Sequence, residues 1–164
     1  MPPLETVAAG TPADGMGLVL WVPTIANPAA PTVAELSAGT VKQLTYELVP
    51  DGFRHNTTEN VITSGRYTLK QVLESAGTVT DTLELQYVTG SDAMTALTDG
   101  ATGFIVHRLG VANETAVTAA QKVDVIPVKA GIQRKVPPTA NTELQRVQKM
   151  YITGTVQRDV AVAS

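Results

Sequence analysis

Thr78-Val79-Thr80-Asp81-Thr82-Leu83-Glu84-Leu85-Gln86-Tyr87-Val88 sets Val79, Leu83, Leu85 and Tyr87 on one parity and Thr80, Thr82, Glu84 and Gln86 on the other, with Asp81 as the single break. Successive side chains of a strand point to opposite faces, so this segment reads as a β-strand with one dry face and one wet face. That pattern belongs to antiparallel sheets, which pack one face on a core and leave the other to solvent. Residues 40–49 repeat it, with Leu44, Tyr46 and Leu48 set against Gln43, Thr45 and Glu47, and Tyr67, Leu69 and Leu73 make a third candidate. The predicted core is therefore Val79, Leu83, Leu85, Tyr87, Leu44, Tyr46 and Leu48.

Outward from that stretch, residues 103–109 and 122–129 are β-branched runs bounded by glycine. The second contains Pro127, which has no N–H for a ladder and so points to an edge or a bulge. Residues 144–153 and 156–162 close the series, joined through Gly154. About seven strands suit a sandwich or small barrel. Helical signals are sparse. Residues 91–100 begin with capping side chains and end in Gly100, which predicts a flanking helix of about two turns. Thr32 and Glu35 have the spacing of a capping box before Leu36. Residues 113–121 fit either a helical turn or a loop.

Two stretches read as non-core. Residues 1–31 hold Pro2, Pro3, Pro12, Pro23, Pro28 and Pro31, which predicts an extended N-terminal arm around the short apolar segment 18–22, leaving 32–164 as a single β domain. Residues 50–65 are polar and rich in turn formers, and predict a long inter-strand loop, a feature that compact domains keep mainly for function.

Charged residues make up 16% of the 164 residues, against roughly 25% in ordinary soluble domains, and cysteine is absent. Thiolate nucleophiles, thiolate metal sites and disulfide scaffolds are thereby excluded. No positive side chain precedes Lys42 and the longest apolar run falls far short of the roughly 18 residues of a span, so the expectation is synthesis in the cytoplasm without signal or membrane anchor. Residues 1–107 carry 4 basic and 11 acidic side chains (4 − 11 = −7), and 108–164 carry 8 and 4 (8 − 4 = +4). Such polarity fits either scatter over a solvated surface or complementarity between copies, with an acidic surface meeting Lys129, Arg134, Lys135, Arg146 or Lys149 of the next subunit.

Catalytic constellations are missing. His55 has Asp51 and Glu59 four residues to either side, but Pro50 and Gly52 oppose the helix that would bring them onto one metal, and His107 lies on the parity of Ile105 as a packed sheet residue. Neither a Gly-x-Ser-x-Gly elbow nor a phosphate loop occurs, and no cofactor is implied. The basic run 131–136 is short and without aromatics, so tight DNA binding is not expected. A polar, acidic wall would instead let a duplex pass, because it offers neither counterion release nor stacking.

The order of motifs carries a resemblance: Pro31-Thr32-Val33-Ala34-Glu35-Leu36, Thr102-Gly103-Phe104-Ile105-Val106-His107-Arg108-Leu109-Gly110, Lys122-Val123-Asp124-Val125-Ile126-Pro127-Val128, Gly131-Ile132-Gln133-Arg134-Lys135-Val136-Pro137-Pro138 and a terminal Thr153-Gly154 with Val160-Ala161-Val162. Together they resemble the major tail proteins, or tail tube subunits, of long-tailed phages infecting actinobacteria. The resemblance implies a β-sandwich or barrel in hexameric rings that stack into a conduit for the genome within the virion tail. It further implies tape-measure, tail terminator and distal tail proteins as partners, with only transient, non-specific passage of double-stranded DNA. In that setting Thr45, Glu47, Thr80, Thr82, Glu84 and Gln86 would face the lumen, and the 50–65 loop, with Asp51, Phe53, Arg54, His55 and Glu59, would join ring to ring. Competing readings are a monomeric immunoglobulin-like binding or decoration module and a tube from a contractile apparatus, with an enzyme last.

Overall fold

The computed structural model describes residue 1 and residues 3–164; Pro2, counted in the expected arm, lies outside the described residues. Its elements are β1 (Gly17–Val22), α1 (Val33–Leu36), β2 (Lys42–Gln43), β3 (Leu48–Ser64), β4 (Leu73–Val88), α2 (Asp92–Ala96), β5 (Thr102–Leu109), β6 (Lys122–Ala130), β7 (Arg134–Lys135), β8 (Gln145–Ile152) and β9 (Gln157–Ala161). All strand pairings are antiparallel, in the order β2-β1-β5-β6-β8-β4-β3, with β7 added to β8 and β9 to β6. The fold is mainly β, as expected, with two short helices where one flanking helix was expected.

The sheet curls so that Leu83, Leu85 and Tyr87 of β4 and Met150 of β8 pack against Val19 and Trp21 of β1 and Ile105 of β5, with α2 contributing Ala93 and Leu97. On the opposite face Leu18, Leu20 and Val22 meet Val106, Val123 and Val125 beneath Leu36, Ile25 and Val162. Strand β1 is thus buried on both sides, which corrects the expectation of an arm over the whole of 1–31. Five consecutive apolar side chains mask a two-residue period. Their burial, about 1.5–3 kcal/mol each, outweighs the scale of roughly 1 kcal/mol on which strand propensities differ.

Residues 50–65 are not a loop. Residues 50–64 lie in β3, which pairs with β4 from Leu48↔Tyr87 to Ser64↔Leu73. The turn chemistry of Pro50-Asp51-Gly52 serves a bulge inside the strand, where the register jumps between Leu48 and Phe53 and Asp51 takes a φ of 60°. A Cβ on Gly52 would run into the Gln86 carbonyl, so only glycine lets β3 pass there. Over residues 56–60 β3 is polar on both faces because both have left the core there, and its β-branched threonines keep it extended. The expected strand through Tyr67 and Leu69 is the connection between β3 and β4 instead, and of residues 40–49 only Lys42–Gln43 and the start of β3 are strand. A turn over 45–47 displaces Tyr46, which is 74% exposed rather than in the core; Val79, out on the hairpin, is exposed as well.

Pro127 sits in the middle of the sheet, not at an edge. Strand β6 pairs with β9 through Lys122, Val123 and Val125 and with β8 through Val128, Lys129 and Ala130, so the proline's missing N–H falls where the neighbour changes. Its carbonyl is used, accepting from the Thr153 N–H at 3.0 Å. The Thr32–Glu35 capping box forms as predicted: the Glu35 N–H donates to the Thr32 hydroxyl (3.2 Å) and the Thr32 N–H to the Glu35 carboxylate (2.9 Å). The Ala26 N–H adds a further bond, and the Ala26 and Thr32 amides hold the Glu35 carboxyl below its ordinary range. Residues 113–121 are irregular, and α2 is shorter than two turns.

Candidate assembly surfaces

The β3–β4 hairpin projects from the core as a long two-stranded ribbon. Thr80, Thr82, Glu84 and Gln86 do share one face of β4, on the side away from Leu83 and Leu85. They face Thr58, Asn56 and Arg54 across the ladder. Arg54 donates to Glu84 and Gln86, each at 2.8 Å, Gln86 donates to Gln145 at 2.6 Å, and Arg134 of β7 reaches the second Glu84 oxygen at 3.4 Å. Lys149 stands opposite Glu84 on β8, its ammonium 5.3 Å from the Tyr151 ring centroid. The face expected to carry hydroxyls and carboxylates therefore also carries cations, two of them bridged by Glu84 within one chain.

Thr45 and Glu47 are placed elsewhere. The Thr45 hydroxyl accepts from the Val19 N–H at 3.0 Å and so ties the turn after β2 to β1. The Glu47 carboxylate accepts from the N–H groups of Asp92 (3.2 Å) and Ala93 (2.6 Å), closing the amino end of α2 where Ser91 makes no side-chain cap. Of the five residues assigned to the expected 50–65 loop, Asp51 lies in the bulge, Phe53 and His55 face inward, Arg54 joins the polar face and Glu59 is exposed along β3. Phe53 packs on His107, ring centroids 4.5 Å apart. Burial lowers the His107 pKa despite the nearby Asp124, with His55 adding to the effect. The basic set divides too: Lys129 is exposed on β6, Arg134 and Lys149 flank Glu84, and Lys135 and Arg146 oppose each other on β7 and β8.

Asp81, the one polar residue on the apolar parity, marks the place where the hairpin leaves the core. Its carboxylate accepts from Thr57 (2.6 Å) and Arg158 of β9, with His55 Nε2 at 3.1 Å. Burial alone would raise this carboxyl, but the Thr57 hydroxyl, the Arg158 guanidinium and His55 together outweigh it and hold its pKa below the ordinary value. A depressed pKa stabilises the folded chain above the unfolded-state value, and the contribution fades as pH falls through the folded value. Asp81→Asn is expected to cost about 1–2 kcal/mol at pH 7. The gap should shrink below about pH 4, where the unfolded carboxyl protonates, and urea titrations of both proteins across that range check it. A gap that stays constant into acid would refute the linkage.

Hydrophobic side chains crowd the free end of the ribbon: Val61, Ile62, Tyr67, Leu69, Val72 and Leu73 are all exposed, Tyr67 at 98%. Contiguous apolar surface on an otherwise polar hairpin is characteristic of contacts with another chain. Sequence reading missed this surface, as well as Arg158 and two glutamines that hold α2. The Gln133 amide donates to the carbonyls of Met94 and Leu97, both at 2.8 Å, and the buried Gln148 amide donates to those of Leu97 (2.9 Å) and Gly131 (2.7 Å). Polar residues at inward positions of β4 and β8 were the available signal for Asp81 and Gln148.

Among the described residues no group of three or more His, Asp or Glu side chains could hold a metal ion, and no helix is long and apolar enough to cross a membrane. The sequence profile of a family described as "Phage tail tube protein" matches residues 5–164. No curated protein matches the chain in sequence. Among solved structures, a chain of the "Cryo-EM structure of the anti-feeding prophage (AFP) baseplate, 6-fold symmetrised" has a similar fold, with a TM-score of 0.54 and 12% identity over 94% of this chain and 96% of that one.

Proposed function

The chain belongs to the phage tail tube protein family, a non-enzymatic family of structural tail components, and from that premise we propose that its copies form rings of six that stack into a tube for the passage of double-stranded DNA. The observation that carries the reading is the ribbon of β3 and β4, whose apolar end is left exposed by the described residues. A long unpaired edge with exposed Tyr67, Leu69 and Leu73 is an aggregation hazard in a monomer and a docking element in a polymer. In the assembled tube this ribbon reaches the adjacent ring and takes the inter-ring role expected of residues 50–65. The number six comes from the family resemblance, and the six-fold symmetrised baseplate that contains the chain of similar fold supports it.

Thr80, Thr82, Glu84 and Gln86 line the bore in this arrangement. Glu84 engages Arg54 and Arg134, so a passing duplex meets paired charges and hydroxyls rather than a row of free cations, and gains little from counterion release. Tape-measure, terminator and distal tail proteins would meet the two ends of the tube, and the motif order extends the proposal to long-tailed phages of actinobacteria. Electron microscopy of the concentrated protein tests the whole reading. Tubes with six copies per ring and Glu84 on the inner wall are expected, and Tyr67→Asp with Leu69→Asp should reduce them to isolated rings or monomers. A wild-type chain that stays monomeric when concentrated, or a tube with Glu84 on its outer surface, would overturn the corresponding part.

A further inference from the structure

We propose that the first dozen residues of one copy dock, in polyproline II form, into an apolar groove beside the β7–β8 turn of a second copy. The groove, of about 530 Å³, is lined by Val136, Pro137, Pro138 and Leu144, with Lys135 and Arg146 at its rim. Its walls are set by the backbone: the Val136 N–H donates to the Gln145 carbonyl (3.0 Å) and the Thr89 N–H to the Leu144 carbonyl (2.8 Å). Leu144 is exposed. Among the described residues the ion pairs use Arg54, His55, Arg134 and Arg158, and neither rim cation is neutralised by them. The Arg146 Nε is buried without an acceptor.

The occupant is argued from its own pattern. Met1, Leu4 and Val7 are three residues apart and fully or almost fully exposed, in a segment whose described residues form no helix or strand. Polyproline II has three residues per turn and rises roughly 9 Å in that span, so these side chains form one apolar stripe. Pro2-Pro3 favours that conformation, and Glu5 beside the stripe supplies the negative charge that Lys135 and Arg146 lack. A segment donated to the next copy, and a groove that accepts one in turn, make a head-to-tail contact that repeats along an assembly.

The inference rests on the tube reading for its setting, and one experiment separates the two. The chain has no cysteine, so Val7→Cys and Leu144→Cys can be made singly, mixed in the full-length protein, oxidised mildly and imaged. A disulfide joining residue 7 of one variant to residue 144 of the other, found by mass spectrometry of the peptides, is the expected result. Tubes without that peptide pair overturn the docking and leave the tube standing. The pair without tubes supports the docking and overturns the tube; neither overturns both. A link that forms only within monomers of the Val7→Cys/Leu144→Cys double variant assigns the groove to the chain's own segment and overturns the proposal.

Discussion

Gln148→Leu is expected to lower the unfolding free energy by about 2–5 kcal/mol, a fall of roughly 10 °C in Tm for a chain of this size. Gln148 is fully buried and uses its whole amide: the oxygen accepts from the Tyr87 hydroxyl at 3.0 Å, and the nitrogen donates to the carbonyls of Leu97 and Gly131. Leucine fills the space but accepts and donates nothing. The Leu97 carbonyl keeps its bond from Gln133; the Tyr87 hydroxyl and the Gly131 carbonyl are left without partners inside the core. Burial has already pushed the Tyr87 pKa up to about 12, so its phenol stays protonated and cannot escape the penalty by ionising. Tyr87→Phe alone should cost about 1 kcal/mol. Because both side chains belong to one network, the double variant Tyr87→Phe/Gln148→Leu should fall short of the sum by at least about 0.5 kcal/mol. Urea unfolding of the four proteins measures this, and strict additivity would show that the amide acts by volume alone.

The same residue illustrates which parts of the fold were legible from the sequence. The alternation over residues 78–88 foretold Leu83, Leu85 and Tyr87 of the principal core but not the exposure of Val79, because a strand with one solvated face writes its orientation into every second residue only as far as the core extends. Strand β1 was hidden for the opposite reason: buried on both faces, it has no wet parity to betray it. β3 was hidden because neither face is dry over residues 56–60, and threonine-rich ribbon resembles loop when no core imposes a period. The candidate surface was legible where it depends on local parity, as for Thr80, Thr82, Glu84 and Gln86. It was illegible where it depends on contacts distant along the chain, as when Glu47 caps α2 or Arg158 meets Asp81. Asp81 and Gln148 each broke an apolar pattern, and both proved to be anchors. A polar residue on a dry parity is costly to bury unless it is paired, and its presence there foretells a partner without naming it.

Arg108 breaks the pattern of β5 in the same way, and Arg108→Met should cost about 2–3 kcal/mol, with its effect concentrated in residues 110–121. The side chain is 1% exposed and has no carboxylate partner. Its guanidinium instead donates to the carbonyls of Ala112 and Thr115 and to the Gln121 side chain, all at 3.0 Å, and more weakly to the Ala116 carbonyl. Burial lowers its pKa, but an arginine remains charged at neutral pH even so. Two effects compete when the charge is removed. Relief of desolvation favours the variant, and loss of the charged hydrogen bonds, about 1.5–3 kcal/mol each, opposes it. The bonds win in number, yet the freed carbonyls lie on a partly exposed loop and can turn to water, which keeps the cost below that of a fully buried break. The loop would then loosen around Val117, which packs on the second core. Amide exchange at Thr115, bonded to the Ala112 carbonyl, and at Ala120, bonded to that of Val162, should quicken by about 10- to 100-fold. Arg108→Lys should recover little, since one ammonium cannot span acceptors spread over ten residues of loop. Salt provides the decisive comparison. The Asp81–Arg158 pair at the hairpin base is part-exposed and should weaken as ionic strength rises, whereas Arg108 is bound by carbonyl dipoles in the interior and its contribution should hold. A salt-sensitive Arg108→Met deficit, or exchange unchanged in residues 110–121, would mean that the guanidinium does not organise this loop.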